Sequence, residues 1–527
     1  MRKKQQPWIV QIMSKSSFYD HPAKNVELIE THISWLFLAG DFAYKVKKPI
    51  NLGFLDFSTL AKRHHFCHEE LRLNRRFAPQ LYLKVMTIGG ETEAAAPGKT
   101  PALEYAVKMR RFPRKCQLDR MLEAGQLRAH HLTDFARSIA EQHRSATSLE
   151  PAQPYGSARS VIEPMLENFK QIEPPQKKTR TAQQLKRLMQ WTGTVFAKLE
   201  SALTQRREEG FIRECHGDTH LGNMAWLNGQ PLLFDCIEFN ENLRWIDVIS
   251  DISFLVMDLD DRGQPALGWH FLNHYLQETG DYQGVALLNF YKVYRAMVRA
   301  KVLGLRLSQG DLNEQERSET ESLFQSYLDL AERYTLQLPP PLIMTHGFSG
   351  SGKSTFTAKL AESYGGIHIR SDVERKRLHG LTASAQSGSP LNSGIYSKKA
   401  SVDTYLRLRD IASTTLCCGL PVCVDATFLM RKQRELFLQL ADDLKVPLII
   451  VDFPLPEEVL RKRIEQRSRN EEVDASEATL KVLYAQLDKE EPLTSNERQK
   501  TIRVDPDIPA EATVRAIREI LDCGQTS

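Results

Sequence analysis

Gly347-Phe-Ser-Gly-Ser-Gly352-Lys353-Ser354-Thr355 satisfies the spacing GxxxxGK[ST], and its surroundings give that spacing its meaning. The apolar stretch Leu342–His346 precedes it, and Phe356, Leu360 and Tyr364 follow at four-residue intervals, the stripe of an amphipathic helix. A strand, a glycine turn and a helix in that order aim backbone N–H groups and a helix N-terminus at one point, which suits phosphate oxygens. In such a loop Gly347, Ser349, Gly350, Ser351, Gly352 and Thr355 frame the anion, Lys353 reaches the β/γ oxygens of a nucleotide, and Ser354 takes Mg²⁺.

Beyond the loop, strand candidates at 366–370, 421–425, 447–452 and 501–504 alternate with helical stretches. Residues 339–527 are therefore expected to form an α/β domain with a five-stranded parallel sheet covered by helices. The second strand runs into Ser371-Asp372-Val-Glu374-Arg375. Ser371 and Glu374 have capping-box spacing. Asp372 and Arg375 fall one turn apart at the carboxyl end of a strand, where open α/β sheets bind ligands. A carboxylate there can orient or deprotonate an acceptor hydroxyl while the guanidinium holds the acceptor or the transferring group. Asp425 ends the third strand and can support Mg²⁺ through water. Arg461, Arg463, Arg467 and Arg469 crowd one helix, either as a solvated basic face or as a lid that brings Arg463 and Arg467 over the phosphates. With these residues in view, the segment from Leu342 onward resembles the P-loop kinases of the gluconate kinase, polynucleotide kinase and zeta-toxin type. The resemblance implies an ATP-dependent kinase in which Asp372-x-x-Arg375 handles the acceptor hydroxyl.

Three prolines, Pro339–Pro341, interrupt the helical pattern of Glu314–Tyr334 and mark the expected domain boundary. Upstream, residues 1–115 read as mainly β, with strands at 26–33, 35–39, 42–47 and 102–112 and one helix at 61–77. Residues 116–338 read as mainly helical. Their exception is a hairpin around Asn228-Gly229, the strongest short hairpin signal. Asn223 stands five residues before that turn pair and Asp235 six after it, so antiparallel pairing brings both to one end as oxygen ligands suited to Mg²⁺. Asp218, just upstream in His216-Gly-Asp-Thr-His-Leu-Gly-Asn223, is placed to accept a hydroxyl proton. A cation is also needed over the nucleotide phosphates. Lys45 and Lys47 share one strand face, so parity leaves the choice open. Glu70 sits within the apolar stripe of Phe66, Leu73 and Phe77, a placement that pairing with the strand lysine explains.

Residues from about Val26 to Leu338 thus resemble the aminoglycoside phosphotransferase branch of the protein-kinase-like fold. The resemblance implies an α+β bilobal domain with Lys45 as nucleotide lysine, Glu70 as its partner, Asp218 as catalytic base, and Asn223 and Asp235 as Mg²⁺ ligands. There are two departures from the family pattern. No GxGxxG loop precedes the lysine, and Asp235 is followed by Cys-Ile-Glu238 rather than Phe-Gly. Asp247 is expected to act as a cap or loop support. Asp258, Asp260, Asp261 and Glu278 read either as carboxylates facing a cationic acceptor or as a solvated helix end.

The remaining composition narrows the classes. Against 70 basic residues stand 66 acidic, a net charge of +4 over 527 residues, which disfavours nucleic acid as partner. No apolar run approaches the ~18–20 residues of a membrane span. The eight cysteines contain no CxxC pair, as expected of a reducing, cytoplasmic setting. The expectation is a tandem kinase using ATP and Mg²⁺ on hydroxyls of small molecules. Two alternatives stand beside it: one half acts only as a nucleotide sensor, or the C-terminal half phosphorylates nucleic-acid 5′-hydroxyls.

Overall fold

The computed structural model describes residues 7–53, 55–89, 102–150, 153–172, 180–308, 312–336, 339–383, 385–389, 393–469, 479–505 and 510–524. The side chains of 467–469, 510 and 522–524 lie outside the described set, so the expectation for Arg467 does too.

The chain forms two compact units, residues 1–166 with 200–255, and residues 167–199 with 256–527. This division does not follow the expected borders at 115 and 338. Residues 256–336 belong to the same unit as the P-loop sheet, because the Pro265–Thr279 helix packs on the Lys353–Tyr364 helix and bonds to a strand edge there.

In the first unit, β1 (Val26–Glu30), β2 (Ser34–Ala39), β3 (Phe42–Lys47), β4 (Tyr82–Gly89) and β5 (Ala102–Arg110) form an antiparallel sheet in the order β1-β2-β3-β5-β4. Phe37, Ala39, Tyr44 and Val46 are buried between this sheet and the N-terminal Trp8–Met13 helix. The Leu60–Asn74 helix crosses the other face, capped by the Thr59 side chain accepting from the Lys62 N–H. β4 was not expected. It is an edge strand carrying Lys84 and Thr87 among its apolar residues, so it lacks a clean alternation.

Two small ladders follow in this unit. β6 (Ile212–Glu214) pairs with β9 (Trp245–Asp247), and β7 (Met224–Leu227) pairs with β8 (Gln230–Leu233). Asn228 and Gly229 both take positive φ, 53° and 76°, the two-residue turn that matches strand twist.

In the second unit, β10 (Leu342–His346), β11 (Ile367–Arg370), β12 (Val422–Asp425), β13 (Leu448–Asp452) and β14 (Thr501–Arg503) form the expected five-stranded sheet, every pairing parallel, in the order β11-β12-β10-β13-β14. β10, β12 and β13 are buried throughout, as a sheet covered on both faces requires. Among the described residues, no helix is long and apolar enough to cross a membrane.

Candidate functional site

In the first unit, β3 presents Lys45 and Lys47 on one face, and both reach Glu70. The Lys45 ammonium lies 3.0 Å from Glu70 Oε1, and that of Lys47 lies 2.7 Å from Oε2. What separates the lysines is the second partner. Lys45 pairs with Asp235, whose carboxylate is half exposed, whereas Lys47 pairs with Glu238 in a fully buried contact. The alternation Asp235–Lys45–Glu70–Lys47–Glu238 ties β3, the Leu60–Asn74 helix and the segment after β8 into one network. Burial disfavours the charge on Glu70, yet the two lysines prevail and hold its pKa down at about 2. Three carboxylates share two lysines, so one is left undercompensated. Burial together with the nearby Glu70 pushes the Glu238 carboxyl above its ordinary value.

Glu238 occupies the departure after Asp235, so that departure has a structural purpose. Asn74 adds a second tie, its side-chain oxygen accepting from the Cys236 N–H at 2.9 Å while its amide donates to Glu70 O. Asn74 has no mark in the sequence and Glu238 reads there only as a departure, since each acts only across elements. Asp235 itself takes φ 65°, rare for a non-glycine residue, and its N–H donates to the Tyr82 hydroxyl at 3.0 Å.

The hairpin delivers its two ends as expected. Met224 pairs with Leu233, and the Phe234 N–H bonds Asn223 O, so Asn223 and Asp235 leave the same end of the ladder. The Asn223 amide donates to Asp218 Oδ2 at 2.8 Å and to Asp218 O at 3.0 Å, aiming the carboxylate of Asp218. Asn223 therefore keeps its side-chain oxygen for a cation. With the carboxylate of Asp235 it makes an all-oxygen donor pair that fits Mg²⁺.

The loop before it is fixed from below. His216 is buried, its Nε2 on Phe234 O at 3.0 Å and its Nδ1 facing the Asp218 N–H at 3.4 Å, and burial pushes its pKa down, favouring the neutral ring. Gly217 has φ 85°, and a Cβ there would stand 2.6 Å from Leu243 O. Asp251 supports the loop, and of the two roles expected for Asp247, cap or loop support, the cap is the one it takes. The oxygens of Asp251 accept from the Gly217 N–H (2.8 Å), the Thr219 hydroxyl (3.0 Å) and His143 Nε2 (3.1 Å). Asp247 instead caps the Val248–Asp261 helix through the Ile249 N–H and forms a bidentate pair with Arg206. The group His143, Cys215 and Asp251 has a metal-site arrangement, but Asp251 is spent on the loop and burial holds the Cys215 thiol protonated.

In the second unit, the Gly347–Thr355 loop joins β10 to the Lys353–Tyr364 helix with Gly347, Gly350 and Gly352 all at positive φ. Lys353 folds over the loop, 2.5 Å from Phe348 O and 3.3 Å from the Ser351 hydroxyl. Gln486 clamps Ser349, accepting from its N–H at 3.0 Å and donating to its hydroxyl at 2.9 Å. Arg463 reaches the Ser351 carbonyl at 3.2 Å, so this arginine stands at the loop.

Asp425 is buried at the end of β12. Burial raises its pKa, but the His368 and Arg370 side chains and the Ser354 hydroxyl outweigh it and bring the carboxyl to about 2. Ser354 and Asp425 thus form a second oxygen pair that fits Mg²⁺. Asp372 and Arg375 pair at 3.2 Å at the start of the Ser371–Leu378 helix. The capping box does not form. Arg370 is the N-cap, and Glu374 is buried between Arg377 and Arg407. Asp258 and Asp260 are likewise internal, paired with Arg262 at 3.1 Å and with Lys292 at 2.8 Å.

Comparison with known proteins agrees with both halves. Residues 55–288 match the family described as phosphotransferase enzyme family, and residues 342–493 match the one described as AAA domain. An uncharacterized protein of Mycobacterium tuberculosis, and its counterpart in Mycobacterium bovis, are 30% identical over 451 residues, spanning 85% of this chain and 88% of theirs. Among solved structures, an amicoumacin kinase is 12% identical, covering 62% of this chain and 94% of its own at TM-score 0.41. A gluconokinase from Sinorhizobium meliloti is 22% identical, covering 36% and 96% at TM-score 0.26.

Proposed function

We propose, for a chain that belongs to the family of these mycobacterial proteins and is a phosphotransferase built from a protein-kinase-like and a P-loop kinase domain, that each domain transfers the γ-phosphoryl group of ATP to a hydroxyl of a small molecule. In the first site Lys45 holds the nucleotide phosphates, oriented by Glu70. Asn223 and Asp235 hold Mg²⁺, and Asp218 accepts the proton of the attacking hydroxyl. In the second, the 347–355 loop and Lys353 hold the phosphates, with Arg463 beside them. Ser354 and Asp425 hold Mg²⁺, Asp372 accepts the hydroxyl proton, and Arg375 orients the acceptor. In both, Mg²⁺ neutralises charge on the phosphate oxygens. The protein's share is alignment of donor and acceptor, which is where binding energy lowers this barrier.

The observation that carries the reading is the unbroken chain Asp235–Lys45–Glu70, together with the Asn223 clamp on Asp218. A half retained only for sensing has no need to keep a proton acceptor aimed. The test is the full chain with γ-labelled ATP and a library of hydroxyl compounds. Asp218→Asn should abolish one set of transfers and Lys353→Ala the other. If both variants retain every transfer, the proposal fails.

A further inference from the structure

The Leu60–Asn74 helix carries the run Arg63-His64-His65-Phe-Cys-His68, and two of its imidazoles converge on the exposed face. His64 and His68 are four residues apart, one helical turn, so their side chains meet. Their Nε2 atoms stand 3.2 Å from each other, with the rings at 76°. Two imidazole nitrogens bound at 2.0–2.1 Å to one tetrahedral ion lie roughly 3.3 Å apart, so the pair already has the bite of a chelate.

We propose that His64 and His68 form a binding site for a borderline divalent transition metal, Zn²⁺, Ni²⁺ or Cu²⁺, distinct from the two oxygen-lined Mg²⁺ sites.

The donor set selects this class, because imidazole suits these ions and Mg²⁺ prefers oxygen. Solvent exposure leaves the remaining coordination positions to water. Neighbouring charges do not compete for the imidazoles: Lys62 pairs with Asp56, Arg63 with Glu104, and Glu69 with Arg72. Tyr105 packs beside the His64 ring, centroids 4.3 Å apart, and limits its rotation. His65, between them in sequence, points elsewhere and lines a separate surface pocket with Lys62, Phe66 and Phe239.

A metal held here bridges one turn in the middle of the helix that carries Glu70. Residues 68 and 70 are about 200° apart around the axis, so the ion sits behind Glu70 and braces the helix without entering the nucleotide site.

The test uses the full chain, stripped with EDTA and then held in excess Mg²⁺ to occupy the oxygen sites. Titration with Zn²⁺ by calorimetry, and with Cu²⁺ by electron paramagnetic resonance, should show one equivalent with two nitrogen ligands. Loss of either histidine ends chelation, so His64→Ala and His68→Ala should each weaken binding by about a hundredfold. His65→Ala should leave it unchanged, and Zn²⁺ should raise the melting temperature of the native chain but not of His68→Ala. Both histidines are exposed, so metal-free melts equal to the native chain's establish that the variants fold; if His68→Ala fails that check, His68→Gln replaces it. No binding in excess Mg²⁺ reduces the pair to an imidazole hydrogen bond and overturns the proposal. A site that survives both substitutions does the same.

Discussion

Replacing Lys47 by methionine separates the two lysines that share Glu70. Lys47 is 1% exposed and its partners Glu70 and Glu238 are 0% and 2% exposed, so its removal strands a carboxylate where water cannot reach it. Glu70 retains Lys45 in contact, whereas Glu238 keeps only the longer-range attraction of Lys45. Breaking a buried pair from one side costs about 3–5 kcal/mol, because the remaining charge is desolvated and unpaired. Glu238 escapes part of that cost by binding a proton. A carboxyl whose folded pKa lies above its unfolded value favours the folded state most at low pH and loses that contribution as pH rises through the folded pKa. Without Lys47, which holds the carboxyl down, the Glu238 pKa rises further, so the Lys47→Met defect should be greater at high pH and shrink as pH falls. Adding Glu238→Gln removes the stranded charge and should recover at least about 1 kcal/mol, a coupling typical of groups in direct contact. Lys45→Met offers the contrast. It leaves Glu70 with Lys47, and Asp235 is half exposed, so nucleotide affinity should fall while stability holds. Hydrogen exchange of peptides covering 42–47 and 60–74 reads local stability without requiring two-state unfolding of the whole chain. Unchanged exchange in Lys47→Met at pH 8, or a double variant less stable than the single, refutes this reasoning.

Three further outcomes follow from the geometry. Asp425, held at about 2 by His368, Arg370 and Ser354, contributes about 2 kcal/mol that is present above pH ~4 and lost as pH falls toward 2; an acid titration of the unfolding midpoint should show that loss in the native chain and not in Asp425→Asn. Gly217→Ala places a Cβ 2.6 Å from Leu243 O at φ 85°, and should speed hydrogen exchange across 215–223, a local cost of about 1–3 kcal/mol, while leaving the 347–355 loop unaffected. A chain beginning at Pro339 loses Asn273, whose side chain accepts from the His368 N–H at 2.8 Å and donates to Gly366 O at 3.0 Å along the edge of β11. That bared edge should make the fragment aggregate in light scattering more than one beginning at residue 167, which keeps Asn273 and the 167–199 segment of the same unit.

The parts of this protein legible in one dimension are those whose chemistry is local. Nine residues specify the 347–355 loop, Asn228-Gly229 specifies its turn, and the eight residues from His216 to Asn223 carry the Asp218 carboxylate and the amide that holds it. β4 was hidden because an edge strand with Lys84 and Thr87 set among its apolar residues has no alternation to display. The more instructive failures are acidic. Glu374 has capping spacing from Ser371, but a carboxylate takes the strongest cation in reach, and Arg377 and Arg407 outbid a backbone N–H. Asp247 and Asp251 lie one turn apart, and only the fold shows that the second one meets the Gly217 N–H. Glu238 looked like the loss of a familiar residue pair. It supplies a buried counter-charge, and the reason is arithmetic: β3 brings two lysines to one face, and Glu70 alone cannot neutralise both. Asp235 is left to compensate Lys45 from a half-exposed position, where, on the proposed function, an incoming nucleotide with its cation would exchange partners with that pair. Lys47, closed off behind it, has no such exchange to make, and its second carboxylate has to come from the protein.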